Sequence, residues 1–209
     1  MPNVKVLLLM ACLSQFLLIG FDEVYPLWAV STPDAGGLGW GTIQIGQVLL
    51  TTGAAMMVSQ FVLFPPLIKR LGIARWQQIG GLVSVPAYVF VPCAKLFSWN
   101  EPSLFIASVV GTTVVSNCIL ANILALAVAS TSIVPPSVRG EMSGLYATAE
   151  SLGRFIGPAG YATSFAWSIS SSSYSWVDYM FVFYASAALS GSIAVLAWRN
   201  FTLETLTQP

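Results

Sequence analysis

Charge is what this chain has least of. Only 8% of its 209 residues are Asp, Glu, Lys or Arg, against about 25% in ordinary soluble domains, and histidine is absent. A soluble fold this poor in charge would leave large apolar patches in water, so an integral membrane protein is expected. Without histidine no Ser-His pair can form, and no GxSxG motif occurs; no enzyme is expected. The three cysteines, Cys12, Cys93 and Cys118, make no CxxC pair and each sits in an apolar run. They read as small buried hydrophobes rather than a disulfide framework. No metal site and no cofactor is expected from so few thiols without histidine. Formal net charge is zero, which gives no reason to expect a nucleic-acid partner.

What the chain has instead is hydrocarbon. Hydrophobic residues make up 56% of it, and mean hydropathy is +0.78. Six apolar stretches are predicted as spans at 4–28, 43–68, 77–97, 104–129, 142–168 and 177–198, within one transmembrane domain over 1–209. Each approaches the roughly 20 residues that a hydrocarbon core about 30 Å thick demands. The first outruns the roughly 7–15-residue apolar core of a signal peptide, and Tyr25 and Trp28 suit a helix end at headgroup level. The GGLGWG run at 36–41 lacks the preceding strand and the Gly-Lys-Ser/Thr of a phosphate loop, so it reads as an aqueous turn. Pro65 and Pro66 mark the exit of the second span, and ISSSSYSW at 169–176 reads as a loop. Spans three and six carry few polar side chains and are expected to face lipid.

Orientation follows from the basic residues. Lys5, Lys69, Arg70, Arg75, Arg139 and Arg199 fall on one side of the predicted spans and Lys95 on the other. The positive-inside rule then places both termini in the cytoplasm.

The stretch 138–161, VRGEMSGLYATAESLGRFIGPAGY, concentrates the chemistry. Gly140 and Gly144, then Ala149, Gly153 and Gly157, recur every fourth position and are followed by Pro158. This spacing lets helices approach closely in a membrane. Glu150 and Arg154 stand one turn apart and can pair on one helix face. Ionisable residues at such depth face the bundle interior. The pair either lines a transport path, coupled to proton or substrate, or only holds helices together. Asp22 and Glu23 are adjacent and cannot share a face; either one faces a cavity while the other reaches the interface, or both are simple interfacial charges. Gln44, Gln47, Thr51, Ala55 and Ser59 form a polar and small stripe on the second span. On the fourth, Thr113, Ser116 and Asn117 share a face from which Asn122 points away. These stripes bind a hydrogen-bonding substrate or knit helix to helix.

With those motifs placed, the chain resembles the C-terminal six-helix half of a major facilitator superfamily transporter. FDEVYPLWAVS with GGLGW, FPPLIKRLGIARW, VRGEMSG and ESLGRFIGPAGYATSFAWS are similar to stretches of the zinc-induced facilitator-like branch and its fungal drug:proton antiporter relatives. The second departs from the pattern by placing Lys69 where an acidic residue usually precedes the arginine. The resemblance implies an all-α membrane protein whose bundle is one half of a two-repeat fold rocking about a midplane site. Spans one, two, four and five would then line a cavity. It further implies proton-coupled, alternating-access transport of a small solute in a lipid bilayer. Asp22, Glu23, Gln47, Thr51, Asn117, Glu150 and Arg154 are the substrate or coupling candidates, and Lys69, Arg70, Arg75, Arg139 and Glu141 would gate the cytoplasmic end. A separate N-terminal six-helix half, or a second copy, would complete the site. The alternative is a non-transporting truncated product that docks on or regulates a full-length transporter.

Overall fold

The computed structural model describes residues 4–170 and 178–200; most of the expected 169–176 loop and the start of the sixth span at 177 lie outside them. The described residues form six α-helices: α1 (Val4–Val30), α2 (Thr42–Val62), α3 (Phe64–Cys93), α4 (Glu101–Ser132), α5 (Arg139–Ser170) and α6 (Phe181–Asn200). Short 3-10 turns at Pro33–Ala35, Ala94–Phe97 and Pro136–Val138 join them. All of them except α5 are long and apolar enough to cross a membrane, by length and composition. Helix α5 has the length, but its polar and small residues set it apart. The chain is an all-α, multi-pass membrane bundle.

The second predicted span was drawn too long. Helix α2 stops at Val62, and Pro65 and Pro66 open α3 instead of closing α2. Proline lacks the amide hydrogen that a first-turn residue leaves unbonded anyway, so it starts a helix more readily than it continues one. The expected Lys69–Arg75 loop is therefore mostly helical. It bends at Gly72, whose φ of 75° and ψ of 160° lie in a region essentially reserved for glycine.

Alternation of the six helices gathers the 31–41, 94–100 and 178–180 turns at one end of the bundle. There the Lys95 ammonium donates to the Pro33 carbonyl at 2.9 Å and lies 5.5 Å from the centre of the Tyr179 ring. Trp28 donates its indole N–H to the Gly36 carbonyl at 3.1 Å. Trp28 and Tyr25 are both almost wholly buried, so they anchor the bundle from within and form no headgroup belt.

Helix α1 packs chiefly on α5, α3 on α6 and α4, and α2 on α4. Small hydroxyls bridge these seams. Thr52 meets Thr112 at 2.8 Å between α2 and α4, Tyr161 meets Ser186 at 2.8 Å between α5 and α6, and Ser84 meets Ser190 between α3 and α6. The α3 and α6 helices thus bury a polar face against each other, which their low polar content hid. Asn122 also points into protein, toward Gly80 on α3. Of the cysteines, Cys118 is buried and the other two are half-buried.

Glycine makes the α1–α5 contact possible. A Cβ on Gly153 would overlap the Cys12 carbonyl oxygen and come within 2.9 Å of the Phe16 amide nitrogen. Both are backbone atoms of α1 and cannot swing aside. Gly157 sits against the Phe16 carbonyl, where a Cβ would stand at 3.3 Å. Gly140 and Gly144 correct the expectation, since a Cβ on either would meet nothing within 4 Å. Pro158 continues α5 without breaking it.

Gly153→Val should lower stability in detergent by about 1–3 kcal/mol, the usual range for overpacking, while Gly144→Val leaves it unchanged. Thermal melts followed by helical circular dichroism measure both; equal melting of the two variants would contradict the packing described.

Candidate functional site

Two polar centres lie along α1. Gln15 and Asp22 are seven residues apart, which returns to the same helix face and separates them by about 10 Å along the axis. The first centre joins α1 to α5. The Gln15 amide donates to one Glu150 oxygen at 2.9 Å, and the other faces the Arg154 guanidinium at 3.5 Å. Gln15 is buried; the Glu150 side chain is 15% exposed and that of Arg154 54%. On the same face of α5, one turn before Glu150, Tyr146 is buried and donates its hydroxyl to the Ile123 carbonyl of α4 at 3.0 Å.

The depth of this centre decides what it means. Glu150 is twelfth of the 32 residues of α5 and Gln15 twelfth of the 27 of α1, so both sit within roughly 7 Å of their helix centres. A cation there cannot face acyl chains without a heavy penalty. Yet Arg154 points away from the bundle, beside exposed Thr148 and Ser151. Phe155, 82% exposed, shares that side of α5, so Arg154 stands among both polar and apolar exposed residues.

The second centre is a cavity of about 290 Å³ between α1, α2 and α4. Asp22, Tyr25, Thr52, Thr112 and Ser116 contribute polar groups to its wall, with Met56 and Phe21 as apolar cover. Across the α1–α4 contact the buried Tyr25 and Ser108 hydroxyls approach each other but form no hydrogen bond of ordinary geometry. Both are under-satisfied groups next to a cavity wall.

The candidates named from the sequence therefore do not converge on one point. Asp22 and Glu23 are both exposed, and of the two only Asp22 lines the α1–α2–α4 cavity. Glu150 and Arg154 belong to the α1–α5 centre. Thr51 and Asn117 line a different cavity, on the far side of α2, where Asn117 accepts from Ser59. Gln47 is exposed, and its backbone carbonyl accepts from the Thr51 hydroxyl at 2.7 Å. Gln44 leaves the expected stripe to accept the Gly41 amide hydrogen at 2.9 Å, which caps α2. Lys69, Arg70, Arg75, Arg139 and Glu141 are all exposed. Sequence reasoning missed Gln15, Tyr25, Thr52, Thr112 and Tyr146. The seven-residue offset from Asp22 was the available signal for Gln15.

Among the described residues no three His, Cys, Asp or Glu side chains cluster as a metal ion would require. The geometry offers one carboxylate and several hydroxyls on the wall of the α1–α2–α4 cavity, and a carboxylate, an amide and a guanidinium in the separate α1–α5 centre. These are two polar centres of a helical membrane bundle. Residues 2–158 match the Major Facilitator Superfamily, and the chain belongs to that family. A probable peptide/nitrate transporter of Arabidopsis thaliana is 28% identical over 162 residues, covering 77% of this chain and 33% of its own length. The Protein ZINC INDUCED FACILITATOR 1 of Arabidopsis thaliana is 30% identical over 156 residues, covering 71% of this chain and 30% of its own. A major facilitator superfamily multidrug transporter of Aspergillus fumigatus is 30% identical over 155 residues, with 67% and 25% covered. The chain spans between a quarter and a third of the length of these curated relatives. No solved structure matches it.

Gln15→Leu keeps the side-chain volume and removes the amide that bonds Glu150. Because hydrogen bonds to charged groups contribute about 1.5–3 kcal/mol, the variant should melt measurably below the parent in detergent. Gln15→Asn, which keeps an amide, should recover part of the loss. A Gln15→Leu protein with parental melting would show the bond to be unimportant.

Proposed function

We propose that this chain is a solute- and proton-handling bundle of an alternating-access secondary transporter. The observation that carries the reading is the Glu150–Arg154 pair at mid-membrane depth with its cation turned out of the bundle. In the family's architecture that direction is the path between two six-helix repeats. Membership of the superfamily, and relatives whose names describe peptide/nitrate and multidrug transporters, support the same reading. A second bundle, either a separate N-terminal half or another copy of this chain, would close the path on its far side.

Within this proposal Asp22 is the coupling carboxylate. It stands on the wall of the α1–α2–α4 cavity among hydroxyls that can relay or replace a bound proton. Glu150 is the less mobile acid, because Gln15 and Arg154 hold both its oxygens. Its part is to fix the position of Arg154, which then meets an anionic or hydrogen-bonding group of the solute. Both termini would be cytoplasmic, with Lys69, Arg70 and Arg75 on one side of the inner mouth and Arg139 and Glu141 on the other. Glu23 and Gln47 serve the solute less directly, while Thr51 and Asn117 belong to the separate cavity between α2, α3 and α4.

The test uses the full chain in proteoliposomes with a trapped pH dye and an imposed pH gradient. A dipeptide, nitrate and a lipophilic cationic dye are added in separate arms. At least one should drive proton movement, and Asp22→Asn should cut that movement about ten-fold or more while leaving the melting temperature unchanged. Proton movement that Asp22→Asn does not alter would remove the coupling assignment. Silence in every arm, with the chain instead co-purifying with a full-length relative, would favour the docking alternative.

A further inference from the structure

A cavity of about 790 Å³ lies on the other side of α2, between α2, the first part of α3 and α4. It is separate from both polar centres and does not depend on the transport reading. Its wall is oily: Ala54, Val58, Leu63, Phe64 and Leu67 contribute to it, and no charged side chain does. The kink at Gly72 shapes it by turning Phe64–Leu71 away from the axis of the rest of α3. The Phe64 and Trp76 rings, one on each side of that kink, meet edge to face at 6.1 Å.

Three polar atoms break the oil. The Trp76 indole N–H, the Thr113 hydroxyl and the Gln60 amide oxygen are buried at this cavity, and none has a hydrogen-bond partner among the described residues. Buried polar groups without partners cost free energy unless something else satisfies them. Beside the cavity stands a cluster of positive charge. Lys69 and Arg70 follow the lining residue Leu67 by two and three positions, and Arg75 immediately precedes Trp76. All three are exposed and have no carboxylate partner; the ion pair among the described residues is that of Arg154 with Glu150.

We propose that this cavity binds an anionic phospholipid. One acyl chain fills the space between α2 and α4. Ester carbonyl oxygens accept from Trp76 and Thr113, and the phosphate meets Lys69, Arg70 and Arg75. A water-soluble solute has little to gain here, since the wall offers no charge and few polar atoms. A lipid satisfies the oily wall, the two donors and the basic rim together. The site then senses leaflet composition at the joint between α2 and α3. Basic clusters at a membrane surface attract anionic lipid strongly enough to give such selectivity.

The full chain is placed in nanodiscs of phosphatidylcholine containing a minor fraction of phosphatidylglycerol, with bromine on the acyl chains of one lipid at a time. The Trp76 contribution to fluorescence quenching is the difference between the parent and Trp76→Phe. Brominated phosphatidylglycerol should quench Trp76 about ten-fold more effectively per molecule than brominated phosphatidylcholine. Combined Lys69→Gln, Arg70→Gln and Arg75→Gln should erase the preference, and Ala54→Phe, which fills the cavity, should abolish quenching by either lipid. If the triple variant does not fold, salt at about 0.5 M screens the same charges on the parent chain and should weaken the preference. Equal quenching by the two lipids in the parent would overturn the headgroup assignment. No quenching of Trp76 by either lipid would overturn the site.

Discussion

Two opposite charges held halfway across a hydrocarbon layer set the conditions for everything else in this molecule. Neither Glu150 nor Arg154 can be left in contact with acyl chains, and pairing alone leaves each with unsatisfied hydrogen-bonding capacity. Gln15 supplies part of what is missing from the opposite helix, bonding the carboxylate oxygen that Arg154 does not face. That bond requires α1 and α5 to run close together, and only glycine at position 153 lets the backbones approach so far. The small-residue seam and the buried charge are therefore one feature: the first brings the helices together, and the second gives their contact a specific register.

The same logic extends to the rest of the bundle in weaker form. In a membrane the hydrophobic effect does not drive helix against helix, so packing and interhelical hydrogen bonds must. Pairs of hydroxyls at Thr52–Thr112, Tyr161–Ser186 and Ser84–Ser190 do this work between α2 and α4, α5 and α6, and α3 and α6. Each contributes on the order of 1 kcal/mol or less. They leave several helix faces exposed, among them the side of α5 that carries Thr148, Ser151, Arg154 and Phe155. The exposed Arg154 on that face is what ties the fold to the proposed passage of solutes.

Much of this was legible before any coordinates. Low charge and long apolar runs announce a membrane bundle, and the Glu150–Arg154 spacing announces a pair on one face, because both depend on composition and helical periodicity alone. What stayed hidden depends on partners distant in the chain. Gln15 carries no sequence signal of its pairing, because Glu150 lies 135 positions away along the chain. The polar stripe on the second span picks Thr51 and passes over Thr52, yet one step of about 100° sends the first to the α2–α3–α4 cavity and the second to the cavity of Asp22. Pro65 and Pro66 are ambiguous in sequence, since proline after an apolar run can follow the end of one helix or open the next, and here they open α3. Gly140 and Gly144 share the spacing of Gly153 and Gly157 but find no helix opposite; repetition shows where close approach is permitted, not where it happens.

The central claim is that the Arg154 face of α5 meets water at mid-membrane depth. Single cysteines placed at Ser151 on that face, and at Val195 on the exposed apolar face of α6, in a background lacking Cys12, Cys93 and Cys118, measure it directly. A charged, membrane-impermeant maleimide applied to the chain in bilayers should label Ser151→Cys readily and leave Val195→Cys untouched. A Ser151→Cys protein that resists the charged reagent and instead reacts with a lipid-soluble thiol probe would place that face against acyl chains and contradict the account.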